Sequence, residues 1–163
     1  MDRDIDLLRR LDNLIRLGTV HSVDLAEARV RLTIGGLTTS WLPWLTHRAG
    51  TTRHWSAPTV GEQVIVLSPG GDLAAGVALS GIYSDTAPAP SVNASEHLTV
   101  YPDGTRIAYD HSNATLTLDV PTITINGNVA INGASLTHNG KNVGATHTHS
   151  GVQPGTSNTG APQ

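Results

Sequence analysis

Between Thr115 and Thr137 the chain repeats a pattern that one copy of it cannot bury. Thr115-Leu-Thr-Leu-Asp-Val120, Thr122-Ile-Thr-Ile125, Asn128-Val-Ala-Ile131 and Ala134-Ser-Leu-Thr137 alternate apolar with polar residues, as extended segments with one apolar face do. Asn126-Gly127, Asn132-Gly133 and Asn139-Gly140 punctuate them at spacings of six and seven residues, a weak internal repeat of the β-helix kind. Each short strand offers two aliphatic side chains on that face, and no helix or opposing sheet remains in the sequence to cover them. Three copies wound around one axis remove the difficulty. Each chain then supplies one wall of a triangular prism, with Leu116, Leu118, Ile123, Ile125, Val129, Ile131 and Leu136 inside.

Composition fits a core of that kind. Among 163 residues there is no Phe and one Met, aromatic residues are 4 %, and Gly reaches 17. The large rings that usually fill a core are nearly absent. Disorder is not the alternative, because disordered chains combine low hydrophobicity with high net charge, whereas here 38 % of residues are hydrophobic and the net charge is −3. Charged residues are only 14 %, against roughly 25 % in an average domain. From Pro121 onward Lys141 is the only formally charged side chain. With no Lys/Arg cluster to displace phosphate counterions, nucleic acid is not an expected partner. The absence of Cys excludes disulfides and thiolate metal sites.

Upstream of the repeat, residues 2–17 read as one amphipathic helix. Ile5, Leu8, Leu11 and Ile15 recur at spacings of three and four, Asp2, Asp4 and Asp6 suit its N-terminus, and Gly18 reads as its stop. Its leucines have two equal prospects, burial on their own domain or against a partner chain. The acidic start is unlike a secretory signal, and no apolar run approaches a membrane span, so a protein made in the cytoplasm is expected. From Thr19 to Ser84 the period falls to two. Val30, Leu32 and Ile34 share one face, Gly35-Gly36 marks a hairpin, and segments at 37–45, 53–56, 61–67 and 76–83 supply further strands, carrying Trp41, Trp44 and Trp55. Five or six short strands in so few residues point to a small closed barrel of the oligonucleotide/oligosaccharide-binding (OB) type. The expected organisation is a helix at 1–17, an OB-fold-like barrel at 18–84, a Pro/Ala/Ser linker at 85–95, a trimeric β-helix shaft at 96–144 and a metal-binding tip at 145–163. The fold class is all-β apart from the single helix.

The tip carries the clearest chemistry. In Ala145-Thr-His147-Thr-His149-Ser-Gly151 the two imidazoles stand at i and i+2, which puts them on one side of an extended segment. Two ligands are too few for a stable site, but three chains on one axis bring six nitrogens together. Two stacked triangles of nitrogen are octahedral, which disfavours tetrahedral zinc and suits Fe(II), Ni(II) or Co(II). His21, His47, His54, His97, His111 and His138 show no close partner in the sequence and read as surface or interface residues.

Taken together, the barrel opening near Gly18-Thr-Val20, the hairpin Tyr101-Pro-Asp-Gly-Thr105, the Asn-Gly-punctuated repeat and Thr146-His-Thr-His-Ser-Gly-Val-Gln-Pro-Gly155 with Asn158-Thr-Gly160 resemble the baseplate assembly protein V family. These are the central spikes of contractile phage tails and R-type pyocins. The resemblance implies a homotrimer whose barrels sit on tail hub and baseplate proteins, and whose shaft is driven into the outer membrane of a target cell. It also implies one iron ion per trimer held by six histidines, with His147 and His149 as the matching positions. The lysozyme domain of larger relatives has no counterpart here, and no Ser-His-Asp or paired-Glu constellation is evident, so an enzyme is not expected. The implied location is the virion or pyocin particle, after assembly in the host cytoplasm. A different class remains open: an OB module binding oligosaccharide or single-stranded nucleic acid by stacking on its Trp residues, with a β-rich oligomerisation tail.

Overall fold

A computed structural model describes residues 2–148, 150, 151 and 155. It divides into two compact units, Met1–Asp119 and Val120–Gln163.

The first unit opens with helix α1 (Asp2–Leu14), which runs directly into β1 (Ile15–Asp24). β2 (Arg29–Ile34), β3 (Leu37–Thr38), β4 (Leu42–Pro43), β5 (Gln63–Leu67) and β6 (Val77–Ile82) follow, with two 3-10 turns at Pro69–Gly71 and Leu73–Ala75 before β6. The sheet order is β3-β2-β1-β5-β6, and β4 also pairs with β2. Just past β4, Trp44 bridges Ala78 of β6 in parallel, and the Leu45 N–H donates to the Ala78 carbonyl at 2.8 Å. The sheet thereby closes on itself, and the edges that an open sheet would expose are paired. Its interior is aliphatic: Val20, Val30, Leu32, Ile34, Leu42, Val64, Val66 and Ala78 are all buried, with Val23, Trp44 and Leu73 packed at the margin. The alternation in β2 puts Val30, Leu32 and Ile34 inside, as the period-two reading expects.

The helix is shorter than the sequence suggests, and Gly18 is not its stop. Ile15, Arg16 and Leu17 pair with Leu67, Val66 and Ile65 of β5, so the strand begins three residues before the glycine. A Cβ on Gly18 would lie 3.1 Å from Ile34 Cγ1 and 3.2 Å from the Thr33 carbonyl. The residue is glycine because two strands approach closely there, which local pattern does not reveal. The helix ends on tertiary contacts instead: the Leu14 carbonyl accepts from the Ser68 N–H at 2.9 Å. Gly71, at φ +72°, lies against the helix so tightly that a Cβ would overlap the Arg10 carbonyl oxygen and sit 2.6 Å from Arg10 Cα. On the outer surface Asp6 pairs with Arg9 at 2.6 Å and Arg10 at 2.8 Å, and the hydrogen bond from Arg9 leads in holding its carboxyl below the ordinary range. Ile5, Leu7, Leu8 and Leu11 remain exposed, so the barrel does not cover the apolar stripe.

Residues 53–56 form no strand. Arg53 makes one isolated bridge to Ala49 across the Gly50-Thr51-Thr52 turn, and Trp55 is exposed. Within 85–95, the stretch expected as a linker, Ala87 bridges Ser84, and the Ser91 hydroxyl donates to Glu96 Oε2 at 2.6 Å.

β7 (Glu96–Val100), β8 (Arg106–Asp110) and β9 (Thr115–Asp119) form an antiparallel three-stranded sheet. The Pro102-Asp-Gly104 hairpin forms as expected: the Tyr101 N–H donates to the Thr105 carbonyl at 2.9 Å, and Asp103 accepts from the Thr105 N–H at 2.9 Å. The β8–β9 turn is organised by Asp110. Its carboxylate accepts from the Ser112 hydroxyl at 2.6 Å, the Ser112 N–H at 2.8 Å and the Asn113 side-chain amide at 2.8 Å. These donors, the Ser112 hydroxyl foremost, lower the Asp110 pKa to about 2.

In the second unit the expected strands at 122–125 and 128–131 have no partner among the described residues. From Val120 to Leu136 there is no helix or strand. Ile123, Ile125, Val129 and Ile131 stand 57–64 % exposed. Only at the third Asn-Gly does a hairpin close: Asn139 and Gly140 both take positive φ, 49° and 75°, joining β10 (Thr137–His138) to β11 (Lys141–Asn142). Among the described residues no helix is long and apolar enough to cross a membrane.

Two outcomes test this description. Gly71→Ala combines left-handed strain with overlap and is expected to destabilise the α1 contact by about 1–3 kcal/mol; hydrogen exchange should quicken in α1 while β2 and β5 keep their protection. Asp110 is ionised in the fold down to about pH 2, while an unfolded Asp takes up its proton near 3.9. Its stabilisation is therefore complete at pH 5 and is lost as pH falls towards 2. The melting-temperature difference between wild type and Asp110→Asn should shrink over that interval, and a gap independent of pH would contradict the assignment.

Candidate functional site

The segment that delivers the candidate metal ligands is built from backbone turns and one amide side chain. After β11, the Val143 N–H donates to the Leu136 carbonyl at 2.8 Å, extending the hairpin by one rung. The chain then turns through Gly144-Ala145-Thr146 to His147. Asn142 Oδ1 accepts from the Gly144 N–H at 2.8 Å, and its Nδ2 donates to Thr146 Oγ1 at 2.9 Å. The Gly144 carbonyl in turn accepts from the His147 N–H at 3.2 Å and lies 2.7 Å from His147 Nδ1. A carbonyl oxygen can only accept, so Nδ1 carries the proton and, in the neutral ring, Nε2 carries the lone pair. A backbone-bonded Nδ1–H and a basic Nε2 are what a metal-ligating imidazole requires.

His147 therefore fits the metal role that the sequence assigns it. His149 lies outside the described residues. Among the described residues no three His, Asp or Glu side chains are grouped so as to hold a metal ion.

The remaining histidines stand elsewhere. His138 is in β10, exposed and opposite Lys141, and His97 pairs across strands with Tyr109. The expectation that none has a close partner fails for two of them. His47 and His54 meet with ring centroids 5.3 Å apart at an interplanar angle of 82°. The turn around Gly50 brings these seven-residue neighbours together, the His54 N–H donating to the Arg48 carbonyl at 2.9 Å. Beside them Trp44 and Trp55 pack edge to face at 5.6 Å, and Trp44, His47 and His54 border a cavity of about 460 Å³ with Ser56 and Ser80. Trp41 is separate, under the Arg31 guanidinium at 5.8 Å. The three indoles thus do not form one stacking platform, since Trp44 is half-buried on the core and meets Trp55 edge-on.

The described residues comprise an aliphatic OB-type barrel and, past Asp119, an apolar, nearly uncharged arm that leads to His147. Residues 16–83 match the type VI secretion system/phage-baseplate injector OB domain, and residues 145–163 match the GpV apex motif. The chain thus carries both an injector OB domain and an apex motif of phage-baseplate type. The matched OB domain coincides with the span from β1 to β6 to within a residue at either end. The chain is also 44 % identical over 127 residues to the spike protein of Escherichia phage P2, a match covering 76 % of this chain and 60 % of that protein. It thus spans less than two thirds of that relative's length.

The tautomer of His147 is directly testable. In metal-free protein at neutral pH, nitrogen NMR should show a protonated Nδ1 and an unprotonated Nε2. The opposite pattern would contradict the Gly144 hydrogen bond.

Proposed function

We propose that the chain is the subunit of a homotrimeric central spike, a mechanical part of a contractile injection device. The observation that carries this reading is the apolar row from Leu116 to Val143. Ile123, Ile125, Val129 and Ile131 are each more than half exposed in one chain, and residues 122–131 leave their backbone without strand partners. Burying a side chain of this size contributes roughly 1.5–3 kcal/mol, and two further copies of the same segment supply both the apolar cover and the missing strand pairs. The relatedness to a phage spike supports the same conclusion.

In this reading the barrel end docks on hub and baseplate proteins of the particle, and the C-terminal end meets the target cell's outer membrane when the device contracts. The work is mechanical and calls for no catalytic residue. The virion or pyocin particle is the place of action. A tip without charge suits passage into lipid, because each charged residue at the bilayer centre costs about 2.5–3.5 kcal/mol on insertion scales. His147 and His149 of each chain would hold the metal. A bound ion, iron by resemblance, supplies cross-linking of three chain ends that would otherwise fray under load. The residues of the chain do the rest: Gly144 fixes the His147 ring, and the β10–β11 hairpin gives the arm a stiff base.

Sedimentation of the full chain should give the mass of three chains, with one ion per three chains by elemental analysis. Ile131→Asp places a charge in the proposed interior and should yield monomers or unfolded arms while the barrel's circular dichroism persists. A monomeric wild type, or an undisturbed trimer in Ile131→Asp, would contradict the reading.

A further inference from the structure

The apex imidazole does not hold itself in place. His147 sits on an exposed turn, with none of the aliphatic packing that fixes side chains in the barrel. A ligand aimed at a metal must be held to within about half an ångström, so its orientation has to come from hydrogen bonds. Tracing the bond to Gly144 back from the ring leads to Asn142. Nδ1 is fixed by the Gly144 carbonyl, the Gly144 N–H is held by Asn142 Oδ1, and Asn142 Nδ2 holds the hydroxyl of Thr146, the residue that precedes His147.

We propose that Asn142 is the positioning residue of the metal apex: its amide clamps the Gly144–Thr146 turn from both ends and so aims His147. The inference rests on the metal reading above and adds a residue that is not itself a ligand. Only a primary amide offers an acceptor and a donor in this spacing, and Asn142 uses both. It is anchored at its own base as part of β11, paired with Thr137. Gly144 is shaped to receive it. A Cβ there would lie 3.2 Å from Asn142 Oδ1 and 3.4 Å from the Leu136 N, closer than such contacts usually are, so a side chain at 144 would push the amide away. The three Asn-Gly asparagines of the repeat, Asn126, Asn132 and Asn139, make no comparable side-chain bond among the described residues, which sets Asn142 apart from a merely repetitive polar residue.

The chemistry of the clamp also says which neighbours are interchangeable. Thr146 contributes one oxygen, so Ser in its place keeps the bond and Val, of the same shape, loses it. An aspartate at 142 would keep the acceptor and place a negative charge in a segment otherwise free of acidic groups.

The test uses the full-length trimer, stripped with chelator and titrated with Co(II) alone. Affinity is read from the visible absorption of the bound ion in competition with chelator. Asn142→Ala and Thr146→Val are each expected to weaken Co(II) binding by about 10- to 100-fold, and Thr146→Ser to restore it to the wild-type value. Nitrogen NMR of the stripped proteins should show His147 losing its single Nδ1–H tautomer in Asn142→Ala and keeping it in Thr146→Ser. Wild-type affinity in both Asn142→Ala and Thr146→Val, with binding abolished in His147→Ala, would overturn the positioning role and leave the metal reading standing. Co(II) binding by His147→Ala equal to wild type would overturn the metal reading itself. Should Asn142→Ala fail to assemble, the Thr146→Val and Thr146→Ser pair decides the matter.

Discussion

Everything distinctive about this chain follows from a row of aliphatic side chains that its own fold leaves uncovered. In the barrel, eight small apolar residues close around one another and the sheet pairs its own edges. From Val120 to Leu136 the described chain has no strand to close against. Ile125 is 64 % exposed and Ile131 60 %, in a stretch whose backbone polar groups have no strand to bond. Both costs, unburied apolar surface and unpaired backbone, are removed by the same event when identical arms wrap one another. In the proposed spike the arm, unlike the barrel, is a folded object only as part of an assembly.

The distribution of charge fits the same division of labour. The helix and barrel carry most of the Asp, Glu and Arg residues, including the Asp6 pairs with Arg9 and Arg10, while Lys141 is alone beyond Pro121. The proposed threefold prism would have room on its axis for Ile, Val and Leu but not for Phe or Trp, and the sequence has no Phe at all and places its three Trp between 41 and 55. The polar bonds of the tip are local and backbone-directed, made by Asn142, Thr146 and Gly144 rather than by ion pairs. Such bonds are uncharged and survive transfer out of water better than a salt bridge does.

Much of this was legible in the sequence because it is written in short-range periodicity. The alternation of Val30, Leu32 and Ile34 locates β2 and its inward face, and Gly35-Gly36 and Pro102-Asp-Gly104 locate hairpins. What escaped depends on residues far apart in the chain. Gly18 looks like a helix stop but is an approach point between strands, set by Ile34 sixteen residues on. The helix boundary at Leu14 is fixed by Ser68, and the contact of His47 with His54 by the shape of a loop. Residues 53–56 carry a strand-like composition but meet no free edge. Asn142 reads as one more turn asparagine until its two bonds are seen. The arm from 120 to 136 differs from all of these: its pattern is plain, and among the described residues no strand pairs with it.

The most direct measurement is amide hydrogen exchange along residues 122–131 of the full-length protein, read residue by residue. Because those amides have no strand partner within one chain, their protection can come only from neighbouring copies. Protection by several orders of magnitude, lost together in a variant that no longer trimerises, is the predicted result. Exchange at the rate of an unstructured peptide in the assembled protein would contradict the central claim.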